Sequence, residues 1–540
     1  MAFNLADLFE GVVDAVADRE ALVIGEAGVA QDRSTYAVLD ERANRLAHVL
    51  LARGIGPGDH VGLHLYNGRP HIEAMLALYK LRATPVNVNY RYVADELRYL
   101  FDDADLRAVI TEPDLRPLVE SVVDDLPALG VVVVPGPALE AELAAAASDR
   151  PAVGPRSADD LYLLYTGGTT GRPKGVMWRH EDIFFASLGG RGTPSRGIPA
   201  LTVPDQIGDR AQRGEAVMRR LPLCPLMHGG AMWVALQTFF SGGALVISAD
   251  RRFDAHDALS LLANERVELT MLIGDATARP LADRLAAAPD DYDLTALQVI
   301  ASGGAILSPA VKALLREHLP HTKVVDTFGA SETGGQGRLR SSAHGARLIT
   351  DDDTAVFDDD LRPLAPGAGA IGRLGRTGFI PYGYYKDPAK TAATFPLIDG
   401  VRWSVPGDFA RLEDDGSITL LGRGSMSINT GGEKVFPEEV EGVIKSHPAV
   451  FDAMVVGVAD ERFGEQVVGV VSLRPGVTLE QDALGAELAA HARESLSGYK
   501  VPRRWVVVDE CRRLPTGKPD YRWAAAAVDR AATNPGSVGR

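Results

Sequence analysis

Between Tyr165 and Gly175 the chain reads YTGGTTGRPKG. Gly167, Gly168 and Gly171 free the backbone to turn tightly and aim N–H groups at an anion. Thr166, Thr169 and Thr170 add hydroxyl donors, and threonine oxygens can also face Mg²⁺. Lys174 adds a point charge. Together these are the parts of a triphosphate cradle. The run is not a Walker A loop, because GxxxxGK[ST] is absent. A GxGxxG at Gly367, Gly369 and Gly372 follows LRPLAP rather than a strand and reads as a turn. His180, His228 and His321 lack the spacing of a metal cluster. His228, alone in the apolar run PLMHGGAMW, reads on its own as a packed core residue.

The elements that must carry these residues follow a βαβα rhythm. HVGLHLYN (60–67), TPVNVN (84–89), RAVIT (107–111) and GVVVVP (130–135) read as strands, with a helix at 71–81. LYLLYT (161–166) is an apolar strand ending in the glycine-rich loop. ALVISA (244–249), ELTMLI (268–273) and LQVIAS (297–302) continue the pattern, which predicts parallel sheets covered by helices. From 345 to 425 short strands and turns predict a β-rich subdomain. RGSMSINTGGEK (423–434) is polar and hinge-like, and a compact α+β unit follows it. The fold class is therefore α/β: a large N-terminal domain of helix-covered sheets (1–424) and a small, mobile C-terminal α+β domain (425–540). Residues 190–220 form a Gly/Pro/Arg-rich insertion with a local charge of +3, read either as a mobile surface loop or as a lid.

The 540 residues are 46% hydrophobic and 24% charged, which excludes a disordered or fibrous chain. The net charge of −16 disfavours nucleic-acid binding. Two cysteines, Cys224 and Cys511, make no disulfide framework and suit a reducing cytoplasm. The N-terminus lacks a signal-peptide pattern. Leu221–Ala249 holds no Asp, Glu, Lys or Arg. Its proline and its Gly pairs cut it into strand, helix and strand, so it reads as a buried wall and not a membrane span.

With these motifs in order, the chain resembles the adenylate-forming superfamily over nearly its whole length. That superfamily includes acyl-CoA synthetases, luciferases and peptide-synthetase adenylation domains. Its signature loop often has Ser second after the Tyr, where this chain has Gly167, so phosphate contact there falls to backbone. TFGASETG (327–334) resembles the family's YGxTE. The resemblance implies that Phe328 stacks on adenine, that Asp326, Thr327, Gly329 and Ser331 border the nucleotide, and that Glu332 and Thr166 face Mg²⁺. Gly303, Gly304 and Ala305 of SGGAILSP fall where the family seats adenine and the substrate carboxylate. By the same resemblance Asp408 accepts from the ribose hydroxyls and Arg423 approaches the ribose. Ser425 stands where relatives carry a hinge Asp or Lys.

LPTGKPDYRW (514–523) resembles the C-terminal PxGK motif, which makes Lys518 the adenylation lysine. A cation there would stabilise the charge that develops as a carboxylate attacks the α-phosphate. His228, Trp233 and Gly303 would border the acyl group, although Trp233 reads equally as core. The missing acid in 221–249 favours an uncharged acyl body over an amino acid. Gly431 and Gly432 would let a pantetheine arm pass, and Lys434 would either meet a CoA phosphate or stay solvated. The implied activity is an ATP-, Mg²⁺- and coenzyme A-dependent acyl-CoA ligase. It is similar to actinobacterial ligases for long-chain fatty acids or steroid side-chain carboxylates, and a homodimer is left open. Three other activities share these motifs: loading a carrier protein, luciferase-like oxygenation, and ATP binding by an inactive scaffold. Lys174, Glu332, Asp408 and Lys518 together speak against the last.

Overall fold

A computed structural model describes residues 2–166, 172–193, 197–305, 307–342, 345–349, 351–366, 370–423, 426–430, 433–460, 464–477, 481–514 and 518–533. Local chemistry starts the elements. The Asn4 side chain accepts from Ala6 N to cap the helix Leu5–Val16, and Thr35 accepts from Val38 N to cap Tyr36–Ala52. Ser308 caps Pro309–His318, with proline in the first turn where its missing N–H costs nothing.

Among the described residues three large sheets form. Thr84–Asn87, His60–His64, Leu106–Thr111 and Val131–Val133 run parallel in a seven-stranded sheet. Leu161–Thr166 joins it beside Thr84–Asn87, and Lys174–Arg179 folds back antiparallel. A thirteen-stranded sheet holds the parallel strands Ala244–Ser248, Arg219–Pro222, Leu269–Leu272, Val299–Ser302 and Lys323–Ala330. Helices Leu5–Val16, Arg69–Lys80 and Gly229–Phe240 fill the space between these sheets with one core, in which Tyr36 donates to Phe239 O and Gly243 O.

The expected β-rich region exists, but it is no separate sheet. Lys323–Ala330 turns into Gly334–Ser342, and Gly345–Ile349 and Ile418–Arg423 extend the same ladder. A hairpin of Glu20–Glu26 and Val29–Thr35 closes the far edge and pairs with Ala244–Ser248 more than two hundred residues on. Its turn puts Ala27 at φ 48 beside Gly28 at φ 75. Alanine is rare there, so Gly28 is the turn's only signal in the sequence. A five-stranded sheet of residues 428–507 builds the small unit with helices Pro437–Ile444, Gln481–Ser495 and Tyr521–Thr533. The expected division at 424/425 lies outside the described residues.

The 190–220 insertion is docked along its described part. It contains the helix Gln206–Gln212, which packs on Leu5–Val16, with Gly208 against the Gly11 carbonyl. Arg210 donates to Gly189 O and Pro199 O, and Arg191 pairs with Asp351 and Asp353. In these described residues Arg191 and Arg210 have partners and the short helix is packed on Leu5–Val16. Residues 194–196 lie outside the description.

Candidate active site

The strands flanking the glycine-rich loop are an antiparallel pair with Thr166 opposite Lys174. Gly167, Gly168, Thr169, Thr170 and Gly171 lie outside the described residues. Asn87 was not anticipated from sequence. Its side chain accepts from Tyr165 N (2.6 Å) and donates to Tyr165 O and Met227 O (both 2.9 Å). One amide thus ties the loop's entry strand to the segment ending at His228. The Tyr165 hydroxyl turns away and donates to Asp103, and burial beside that carboxylate holds its pKa high. Gly175 has no room for a side chain because the Tyr165 ring would lie 2.7 Å from its Cβ. Lys174 pairs with Asp387 and lies 6.0 Å over the Tyr384 ring. The hydrogen bond from Lys174 holds the Asp387 carboxyl below its usual range.

The second wall comes from Val299–Ser302 and Lys323–Ala330, parallel with Ser302 opposite Asp326. Thr327 Oγ1 donates to Ser302 O at 2.9 Å. A Cβ on Gly303 would meet Thr327 Oγ1 at 2.7 Å and Met271 Cε at 2.8 Å. Gly304, at φ 76, has nothing within 4 Å of such a Cβ. The strand therefore ends in a flat open step next to Ala305. Phe328 packs on the core of Leu348, Leu374 and Ala410, and Gly329 lies hard against the Gly334 carbonyl. The structure gives Asp326 to an ion pair with Lys312, and burial raises its pKa.

The turn that follows is held by its main chain. Trp178 Nε1 donates to Ser331 O (2.9 Å), and Ser404 Oγ donates to Glu332 O (2.6 Å). Glu332 Oε1 accepts from the Tyr384 hydroxyl at 2.9 Å. Tyr384 sits in the two-residue strand Gly383–Tyr384, paired to Lys174–Arg179. Thr166, Lys174, Tyr384 and Glu332 thus form one continuous rim. Sequence reading missed Tyr384 and Asp387. Their signal was GYYKDP, an aromatic pair before an Asp-Pro helix start, and Asp387 does cap Pro388–Thr394. Asp408 opens the strand Asp408–Leu412 directly opposite Arg423. The side chains of Arg423 and Lys434, with Ser425, Gly431 and Gly432, lie outside the description.

His228 precedes the helix Gly229–Phe240. Burial, then the charges of Lys518 and Arg91, lower its pKa to about 4, so it is neutral near pH 7. The exposed Lys518 of the small unit therefore stands close enough to His228 for its charge to be felt. Trp233 packs against the main core with Trp178, ring centroids 6.5 Å apart. His180 is a buried core residue that accepts from Leu5 N. No group of three potential metal ligands occurs among the described residues. No helix among them is long and apolar enough to cross a membrane.

Residues 9–375 match the AMP-binding enzyme family, and residues 439–518 match the AMP-binding enzyme C-terminal domain. The chain is 46% identical to the 3-oxocholest-4-en-26-oate–CoA ligase of Rhodococcus rhodochrous, over 97% of this chain and 96% of that one. It is 44% identical to the medium/long-chain-fatty-acid–CoA/3-oxocholest-4-en-26-oate–CoA ligase of Mycolicibacterium smegmatis, with the same coverage. Among solved structures, anthranilate CoA ligase AuaEII with anthranoyl-AMP shares the fold at TM-score 0.83, with 23% identity and 98% of each chain covered. ATP-bound MatB of Rhodopseudomonas palustris matches at TM-score 0.80, 26% identity, 96% of this chain and 98% of that one. Apo MatB matches at 0.72, 25% identity, 97% and 99%. The chain belongs to the AMP-binding enzyme family, as an AMP-forming acyl-CoA synthetase.

Proposed function

We propose that this synthetase activates long-chain fatty acids or steroid side-chain carboxylates. The observation that carries the reading is the rim in which Thr166 lies opposite Lys174, Lys174 lies over the Tyr384 ring and Tyr384 donates to Glu332, with the Lys518 charge reaching His228. The wall at 221–249 supplies no charge for a polar acyl body, and neutral His228 suits an apolar neighbour. The two named relatives act on such acids.

In this reading the carboxylate oxygen bonds to the α-phosphorus of ATP and pyrophosphate leaves. The thiol of CoA then attacks the acyl carbonyl and AMP departs. The 165–175 loop and Lys174 hold the β- and γ-phosphates, Phe328 and the Gly303–Ala305 step hold adenine, and Asp408 holds the ribose. Lys518 neutralises charge on the reacting oxygens. Glu332 and Thr166 are hard oxygen donors, and the carboxylate is oriented by Tyr384 into the rim. They fit Mg²⁺, which takes one or two protein oxygens and completes its shell with phosphate and water. Bound there, the ion would screen the triphosphate from Glu332. The closer likeness to ATP-bound than to apo MatB supports an adenylation orientation of the small unit. Rotation about the 424/425 division would then withdraw Lys518 and admit CoA past Gly431 and Gly432. Two buried thiols suit a reducing cytoplasm.

The test is carboxylate-dependent pyrophosphate release from Mg-ATP, with medium-chain, long-chain and steroid side-chain acids, each with and without CoA. Turnover that needs one acid class and CoA is expected. A single stoichiometric burst unconverted by CoA would refute CoA as the acceptor, and silence across the panel would refute the substrate class.

A further inference from the structure

Lys518 is an exposed residue of the small unit. Its place comes from the base of the turn that carries it. Leu514 N donates to Lys518 O at 2.8 Å, Arg513 bridges Pro519 antiparallel, and Asp520 N donates to Arg512 O. Asp520 then caps the last helix through Trp523 N. The other leg is fixed by Arg513. Its Nε donates to Asp452 Oδ2 (3.0 Å), and one terminal nitrogen donates to Oδ1 (2.8 Å) and Oδ2 (2.7 Å). A guanidinium forked onto a carboxylate is fixed in direction as well as distance.

Asp452 is itself held. Lys445 Nζ lies 3.2 Å from Oδ1, and Oδ1 also accepts from Ala453 N. Glu441, fully buried on the helix that Lys445 caps, accepts from Val455 N and ties that helix to the Asp452 strand. Burial would push the Asp452 carboxyl up, but Lys445 and Arg513 together bring it below its usual range. Asp452 therefore stays ionised, and the Leu514–Lys518 hydrogen bond and the Arg513–Pro519 bridge carry its position to the lysine's backbone.

We propose that Arg513, locked onto Asp452, is a positioning residue that delivers Lys518 to the α-phosphate. The inference rests on the reading of Lys518 as the adenylation lysine. The small unit must be intact for both half-reactions, but Lys518 serves only the first. A purely structural Arg513 would therefore slow both. The test uses the full chain with the best acid of the panel above. Acyl-adenylate formation is followed by pyrophosphate release without CoA, and thioester formation by CoA consumption from supplied acyl-AMP. Arg513→Ala leaves Asp452 still paired with Lys445.

Arg513→Ala should lower the adenylation kcat about 10- to 100-fold, the scale of a 1 Å misplacement, with the ATP KM within about threefold. Thioester formation should stay within about threefold, and Arg513→Lys should recover part of the lost rate. Equal losses in the two half-reactions, or no loss in either, would overturn the inference. Lys518→Ala runs alongside. If it leaves adenylation intact, the lysine reading falls and takes this inference with it. If it abolishes adenylation while Arg513→Ala does not, the positioning role alone falls.

Discussion

Tyr384→Phe isolates one hydrogen bond of the rim. The ring keeps its place against Phe395 and under the Lys174 ammonium, 6.0 Å from its centroid. Only the hydroxyl that donates to Glu332 Oε1 at 2.9 Å is lost. Tyr384 is 6% exposed, so the hydroxyl is largely desolvated already. Hydrogen bonds to charged groups are worth about 1.5–3 kcal/mol net. Glu332 is only half-buried and water can replace part of the bond, so about 1–2 kcal/mol is the reasonable share, or about 5- to 30-fold. The loss should fall on kcat/KM for Mg-ATP and raise the Mg²⁺ needed for half-maximal pyrophosphate release. Glu332→Gln should cost more. In that background Tyr384→Phe should add almost nothing, since the hydroxyl acts through the carboxylate. Independent, additive losses in the double variant would refute the claim that Tyr384 aims Glu332.

Asp387→Asn should keep the cap on Pro388–Thr394, since asparagine caps as well as aspartate. Releasing Lys174, whose side chain is 42% exposed, should cost no more than about 1 kcal/mol of stability. The KM for ATP should hold or fall, whereas Lys174→Met should raise it; a rise in both would show that Asp387 binds the nucleotide's surroundings directly. Phe451→Ala removes the ring that lies 5.4 Å from the Arg279 guanidinium across the two units. A contact worth about 0.5–2 kcal/mol should slow adenylation about 2- to 30-fold and spare thioester formation; equal slowing would refute an orientation effect. Burial holds His64, His71, His180 and His228 near 4, against an ordinary 6.5. The folded chain needs them neutral, so their stability contribution is full above about pH 6.5 and drains away toward about pH 4. The thermal midpoint should be level from pH 8 to 7 and fall below 6.5; a midpoint unchanged down to about pH 5 would refute it.

Much of the α/β framework was legible because buried parallel strands are short apolar runs bounded by turn residues, as in LYLLYT and ALVISA. The order of motifs was legible too, since a glycine-rich loop after a strand needs only local chemistry. The edge hairpin at 20–35 was not, because its turn uses Ala27 in a left-handed conformation and its partner strand lies far along the chain. The 190–220 segment looked loose because glycine, proline and arginine signal a loop, yet Arg191 and Arg210 find partners that only the fold supplies. Residue types and local spacing by themselves marked Lys174 and its glycine-rich loop as an anion cradle, whereas Glu332, Asp408 and Lys518 were marked by their resemblance to family motifs. Only the tertiary structure decided that Asn87, Tyr384, Asp387 and the Arg513–Asp452 pair hold the surroundings of those groups, and that Asp326 belongs to Lys312. A side chain's partner is set by distance in space, and each of these partners comes from a different strand, turn or helix.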